Sequence, residues 1–141
     1  MSDDRNLDQR RAAHAIDQIK ETEEKFSPGL QSDYRSYVDG LPANIVQNGL
    51  GQAVAMLLAK AEGGNADNSA HRRLHDHLAD WLCGGFDGAP FDEGDSLIDA
   101  ITQNDQQTYV RAQSEALAWL KWAKKFARAR LEKTTGGAAD G

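Results

Sequence analysis

The chain has 141 residues, a formal net charge of −6 and a pI near 5.1, with 40% hydrophobic and 27% charged residues. That balance suits one globular domain whose core needs neither metal nor disulfides, and it excludes wholesale disorder. The single Cys83 excludes an internal disulfide and points to a reducing compartment, and the polar start Ser2-Asp3-Asp4-Arg5 is no signal peptide. No apolar run approaches the roughly 20 residues of a membrane span, so the expected location is cytoplasmic, without membrane contact.

Residues 4–26 read as an amphipathic helix with Ala12, Ile16, Ile19 and Phe26 on one face, interrupted by Glu23. Ser27-Pro28-Gly29 ends it, because proline cannot continue a helix and glycine suits a turn. Tyr34, Tyr37, Val38, Leu41 and Ile45 then mark one face of a second helix, with Ser32 as its expected N-cap. Pro42 removes a backbone donor, so a kink or break is expected near Asp39-Gly40, and Asn48-Gly49 suits a left-handed helix end.

Residues 50–61 are apolar on most sides, the pattern of a helix buried inside a bundle. A polar loop at 63–69 offers Asn68 or Ser69 to cap the helix at 70–83. That helix carries Ala70, Leu74, Leu78, Trp81 and Leu82 as its buried stripe. Arg72, Arg73, Asp76 and Asp80 lie opposite, with Arg72 and Asp76 spaced as an i,i+4 pair. Residues 84–96 form a long, acidic, glycine-rich loop, expected to be a solvated surface segment, and a short helix follows at 97–103.

Asp105 caps the longest helix, which runs to about Lys133 and buries Trp119, Leu120, Trp122, Ala123, Phe126, Ala127 and Leu131. Residues 1–133 are expected to be one helical domain, and Thr134–Gly141 a disordered tail. No segment alternates as a strand, and no 20–50-residue repeat is visible. The predicted fold class is all-α, a compact bundle of about five to seven helices.

Few side chains suggest chemistry. His71 and His75 are spaced i,i+4 with His77 beside them, and His75-Asp76 has the order of the dyad in metal-dependent phosphohydrolases. However, His71 aligns with Leu78 and Leu82 as a core-edge residue, His75 and His77 flank the stripe on opposite sides, and no further ligand cluster joins them. Asp87, Asp92, Glu93 and Asp95 lack calcium-loop spacing. Cys83 ends a buried stripe with no basic neighbour in sequence and reads as a core thiol. The expectation is no catalytic residue, no metal, no cofactor and no small-molecule substrate.

The distribution of charge says more than its sum. From Arg111 to Lys133 there are seven basic residues and two acids, a local balance of +5 that leaves −11 for the rest. Lys121, Lys124, Lys125 and Arg128 fall within about 100° on the helical wheel, with no acid inside that arc. Such like charges repel by a few tenths of a kcal/mol per pair, and a face built only for solubility mixes in acids. The arc therefore points to RNA or another polyanion; a solvated face paired with the acidic remainder is the alternative.

Residues 41–55 (LPANIVQNGLGQAVA) contain Leu-Pro, an Ile three residues on, Asn-Gly-Leu, a Gln and an apolar helix. This phrase resembles the signature of the small subunit of the type III-B CRISPR effector, the Cmr complex (RAMP module). Tyr109, Arg111, Glu115-Ala116-Leu117, Trp119-Leu120-Lys121-Trp122 and Lys125-Phe126-Ala127 resemble the family's final helix. The acidic net charge and the loop at 84–96 depart from the family's common pattern.

The resemblance implies a helical bundle without an active site, several copies of which line the groove of guide and target RNA, beside other Cmr subunits. Cleavage and cyclic-nucleotide synthesis would belong to those other subunits. Base pairing reads sequence there, so this protein need only hold backbone and shape. In that role Lys121, Lys124, Lys125 and Arg128 meet phosphates. Leu41, Pro42, Ile45, Asn48, Gly49, Leu50 and Gln52 serve packing or an interface. Asn48 and Gln52 offer uncharged hydrogen bonds to RNA or a neighbouring copy, or form a buried amide at a helix junction. A stand-alone helical adaptor that binds only protein is the rival reading.

Overall fold

The first helix is set by its own N-terminus: the Asn6 side chain accepts from the Gln9 amide while the Gln9 side chain accepts from the Asn6 amide, a reciprocal cap. The computed structural model describes residues 4–134, with six helices among them: α1 (Leu7–Lys25), α2 (Pro28–Asn48), α3 (Leu50–Ala61), α4 (Ala70–Leu82), α5 (Leu97–Gln103) and α6 (Gln106–Arg130). Among the described residues there is no strand. The all-α bundle stands as expected. Of the anticipated tail only Thr134 is described, its amide donating to Ser32 Oγ; the rest lies outside the described residues.

α6 packs between α1 and α2, α4 lies against α2 and α3, and α5 closes one side of α3. Trp119, Tyr34, Ile19, Ile45, Leu74, Leu78 and Leu120 are fully buried where these helices meet. Each buried aliphatic side chain contributes about 1.5–3 kcal/mol.

Several local expectations are corrected. Ser27, not Ser32, caps α2, with Pro28 in its first turn, so one dipeptide ends α1 and starts α2. α2 runs through Pro42 without a break. Its buried residues Tyr34, Val38, Leu41 and Ile45 pack on both sides of the proline, and that packing outweighs one missing hydrogen bond. Gly49 takes φ +89°, ψ 157°, a positive-φ corner outside the left-handed helical region, and it both ends α2 and begins α3. α3 buries one face (Leu50, Ala53, Val54, Leu57, Ala61) and leaves Ala55 and Ala59 exposed, so it flanks the bundle.

Arg73, assigned to the outer face of α4, is 3% exposed. Its guanidinium binds Glu21 (2.8 Å) and the Ala66 carbonyl (2.8 Å), and stacks on Phe26. The anticipated Arg72–Asp76 pair forms at 3.0 Å. The loop at 84–96 is anchored as well as exposed. Phe91 is buried, its amide donating to Leu82 O, Phe86 stacks on Trp81, and Arg111 donates to the Gly88 and Ala89 carbonyls.

Polar keys fix α1 on α6. Glu115, buried, accepts from Arg11 Nε (2.6 Å), Arg11 Nη2 (2.9 Å) and the Trp81 indole N–H (2.9 Å). Trp119 Nε1 donates to His14 Nδ1 at 2.9 Å, so the His14 proton sits on Nε2, facing Asp80 at 2.7 Å. Trp122 Nε1 donates to Asp8 Oδ1 at 3.1 Å.

Candidate nucleic-acid interface

Because α6 lies between α1 and α2, its outward arc borders two clefts. Lys121 and Lys125 are exposed beside α1; Arg128, also exposed, and the half-buried Lys124 face α2. On the helix itself no acid interrupts them, but the fold brings one carboxylate to each side.

On the α2 side, Arg128 Nη2 lies 2.6 Å and Lys124 Nζ 3.8 Å from Asp39 Oδ1. The cleft there, about 540 Å³, also takes in Arg35, Ser36 and Lys133. On the α1 side a cleft of about 570 Å³ is walled by Leu117, Ala118 and Trp122 and rimmed by Lys121 and Lys125. Asp8 reaches into it from the first turn of α1. The Trp122 N–H, then the Arg11 and Lys121 charges, hold the Asp8 carboxyl below its ordinary pKa. Trp122 and Phe126, expected in the buried arc, are only half-buried and stack at 5.8 Å between centroids. Sequence inspection misses Asp8, Arg35 and Asp39. They are remote from α6 in sequence, and no local pattern signals the approach.

The family-like phrase divides in two. Leu41, Ile45 and Leu50 are buried, Pro42 and Gly49 half-buried, and Asn48 and Gln52 exposed. The buried-amide alternative for Asn48 and Gln52 is thereby overturned: Asn48 Nδ2 donates to Asn44 at 2.6 Å on the surface. α3 has no side-chain cap of its own. α6 supplies one: the Leu50 amide donates to Gln113 Oε1 and the Gly51 amide to Tyr109 Oη, each at 2.9 Å. A Cβ on Gly49 would sit 3.0 Å from that hydroxyl, at a φ that disfavours side chains. The two family-like stretches thus meet at this corner.

The histidines have separate partners. His71 stacks on Tyr37 with centroids 3.8 Å apart, and His75 Nδ1 lies 2.7 Å from Asp76. His77, placed by sequence at the flank, is 4% exposed. Its Nδ1 accepts from the buried Tyr34 hydroxyl at 2.7 Å and its Nε2 faces Glu21 at 3.2 Å. Burial lowers its pKa to about 4. Among the described residues no three His, Cys, Asp or Glu side chains group as metal ligands. Cys83 is buried, and burial with the nearby Asp95 charge raises its thiol to about 11, which suits the core-thiol reading.

Residues 7–130 match the family described as CRISPR-associated protein (Cas_Cmr5). The fold is similar to the crystal structure of a CRISPR-associated Cmr5 family protein from Thermus thermophilus. The TM-score is 0.70 at 27% identity, over 91% of this chain and all of that one.

Proposed function

The chain belongs to the CRISPR-associated Cmr5 family, the small subunits of type III-B Cmr complexes, and from that premise we propose that it is a non-catalytic structural subunit that holds target RNA. Copies of it line up with one another and with other Cmr subunits along the guide and target strands, in the cytoplasm. Among the described residues no helix is long and apolar enough to cross a membrane. In this reading the protein needs no cofactor and no small-molecule substrate.

The observation that carries the RNA contact is the arc of Lys121, Lys124, Lys125 and Arg128, three of them exposed on one side of α6. Phosphates are held by such cations without reading sequence. The net charge of −6 makes the isolated subunit a poor binder of free RNA. Inside an assembly, other subunits fix the RNA beside the arc. At a Debye length of roughly 8 Å the distant acids are then screened and the local lysines decide the contact.

The test is Lys121→Glu with Lys125→Glu in the assembled complex. Both side chains point away from the buried Trp119 and Ala123, so folding and assembly persist. Target affinity falls, and the slope of log affinity against log salt shrinks by about one unit per lost phosphate contact. If affinity and slope both stay unchanged in complexes of equal stoichiometry, the protein-only adaptor becomes the better reading. The Asp39 contacts to Arg128 and Lys124 favour that second reading, since they neutralise part of the arc internally.

A further inference from the structure

The cleft between α1 and α6 differs from the one around Asp39 in having an aromatic, apolar wall. Three tryptophans are present; Trp81 and Trp119 are buried, and Trp122 alone is half-buried, with its ring in the wall of a cleft. Lys121 precedes it and Lys125 follows one turn on, both exposed. Leu117 and Ala118 continue the apolar wall. The volume, about 570 Å³, lies within the roughly 300–1,000 Å³ of pockets that take small organic groups. Arg11 also borders it, but its guanidinium is committed to Glu115 through two bonds.

One anion already occupies the cationic rim. Asp8 Oδ1 accepts from Trp122 Nε1 at 3.1 Å and from Arg11 Nη1 at 3.3 Å, and the Lys121 charge favours its ionised form. Its side chain is 57% exposed on the first turn of α1, so it leaves without disturbing the core. A carboxylate held by an N–H and cations marks a place where a phosphate oxygen is also stabilised. An aromatic face flanked by lysines is the arrangement that receives a base with its backbone.

We infer that this cleft receives one nucleotide of single-stranded RNA, its base against Trp122 and its phosphate at Lys121 and Lys125, displacing the Asp8 carboxylate. The inference rests on the RNA reading above and adds the mode of contact: stacking as well as charge. It also makes Asp8 an internal competitor that weakens capture of incidental anions. A single nucleotide brings a flat base and a phosphate together, so charge and aromatic wall side by side favour nucleic acid.

Target RNA carrying 5-iodouridine, bound to the assembled complex and irradiated, tests this once the adducts are mapped by mass spectrometry. The adduct is expected on Trp122. Trp122→Ala weakens target capture by roughly tenfold, the worth of one base–aromatic stack, while Trp122→Phe, which keeps a ring, stays within about threefold of wild type. Asp8→Asn strengthens capture. If capture depends on Lys121 and Lys125 but no adduct forms at Trp122 and Asp8→Asn changes nothing, the stacking site is wrong and the RNA reading survives. If capture ignores both lysines, the RNA reading itself falls and this inference with it. A neighbouring subunit's peptide cross-linked at Trp122 in place of RNA also overturns it.

Discussion

Arg128 reaches from α6 to α2 and places a guanidinium nitrogen 2.6 Å from Asp39 Oδ1, with the Lys124 amine 3.8 Å from the same oxygen. One carboxylate therefore serves two members of the basic arc. Asp39→Asn removes that counter-charge while keeping the shape. Stability is expected to fall by less than about 1 kcal/mol, because all three side chains are partly exposed. Target capture by the assembled complex rises at the same time. Thermal unfolding and affinity titrations on one variant check both signs; a drop in capture means that Asp39 positions the cations instead of opposing their ligand.

Glu115 is the acceptor for Arg11 and for Trp81, and it is buried. Glu115→Gln leaves the Arg11 guanidinium only its 3.3 Å contact with the exposed Asp8 carboxylate and is expected to cost about 2 kcal/mol, lowering the unfolding midpoint by roughly 5–10 °C. Arg11→Met alone also destabilises. The double variant loses less than the sum of the singles, which a double-mutant cycle measures.

Acid sensitivity follows from His77. Its folded pKa is depressed from 6.5 to about 4 by burial, while the unfolded chain keeps the ordinary value. The unfolded state therefore takes up a proton first as pH falls. The contribution to stability is whole above about pH 6.5, and declines by up to about 1.4 kcal/mol per pH unit as pH drops towards 4. Denaturant titrations across that window on wild type and His77→Gln are the check. The variant is less stable at pH 7, because the buried imidazole that bridges Tyr34 and Glu21 is lost, but its stability changes less between about pH 6.5 and 4.5. Burial opposes the lowering of the Glu21 pKa and His77 is its largest lowering cause, ahead of Arg73 and Lys25, so the slope that Glu21 adds at lower pH is smaller in the variant.

Val46 is 72% exposed on α2, on a different side of that helix from Asn44 and Asn48. An interface role for this face predicts that Val46→Lys folds with stability within about 0.5 kcal/mol of wild type. Its co-purification with the other Cmr subunits is nevertheless reduced. Wild-type stoichiometry in the variant complex would remove this face from the assembly.

The helices are legible in the sequence because their signals are local. Tyr34, Val38, Leu41 and Ile45 recur with the helical period, and Asp105 and Ser69 cap where expected. Errors arise where one residue carries two meanings. Pro28 ends α1 and opens α2, and Pro42 looks like a break until the packing on both sides of it is counted. Arg73 reads as solvated because charge is usually outside, yet Glu21, Ala66 and Phe26 enclose it from other elements. The same limit applies to the arc. Lys121, Lys124, Lys125 and Arg128 are visible as a pattern, but Asp8 and Asp39 enter from α1 and α2, and periodicity says nothing about what lies across a helix interface.

Each of the three indole N–H groups has an acceptor: Trp81 on Glu115, Trp119 on His14 and Trp122 on Asp8. Arg11, His14 and Asp8 all belong to α1, so α1 and α6 engage like a shaft with teeth cut at several depths. A slide of one turn, about 5.4 Å, would strand every tooth together, and intermediate positions offer no partial fit. Greasy helices can ratchet past one another; these two cannot. The offset between α1 and α6 is therefore fixed, and any neighbour resting against both helices inherits that spacing.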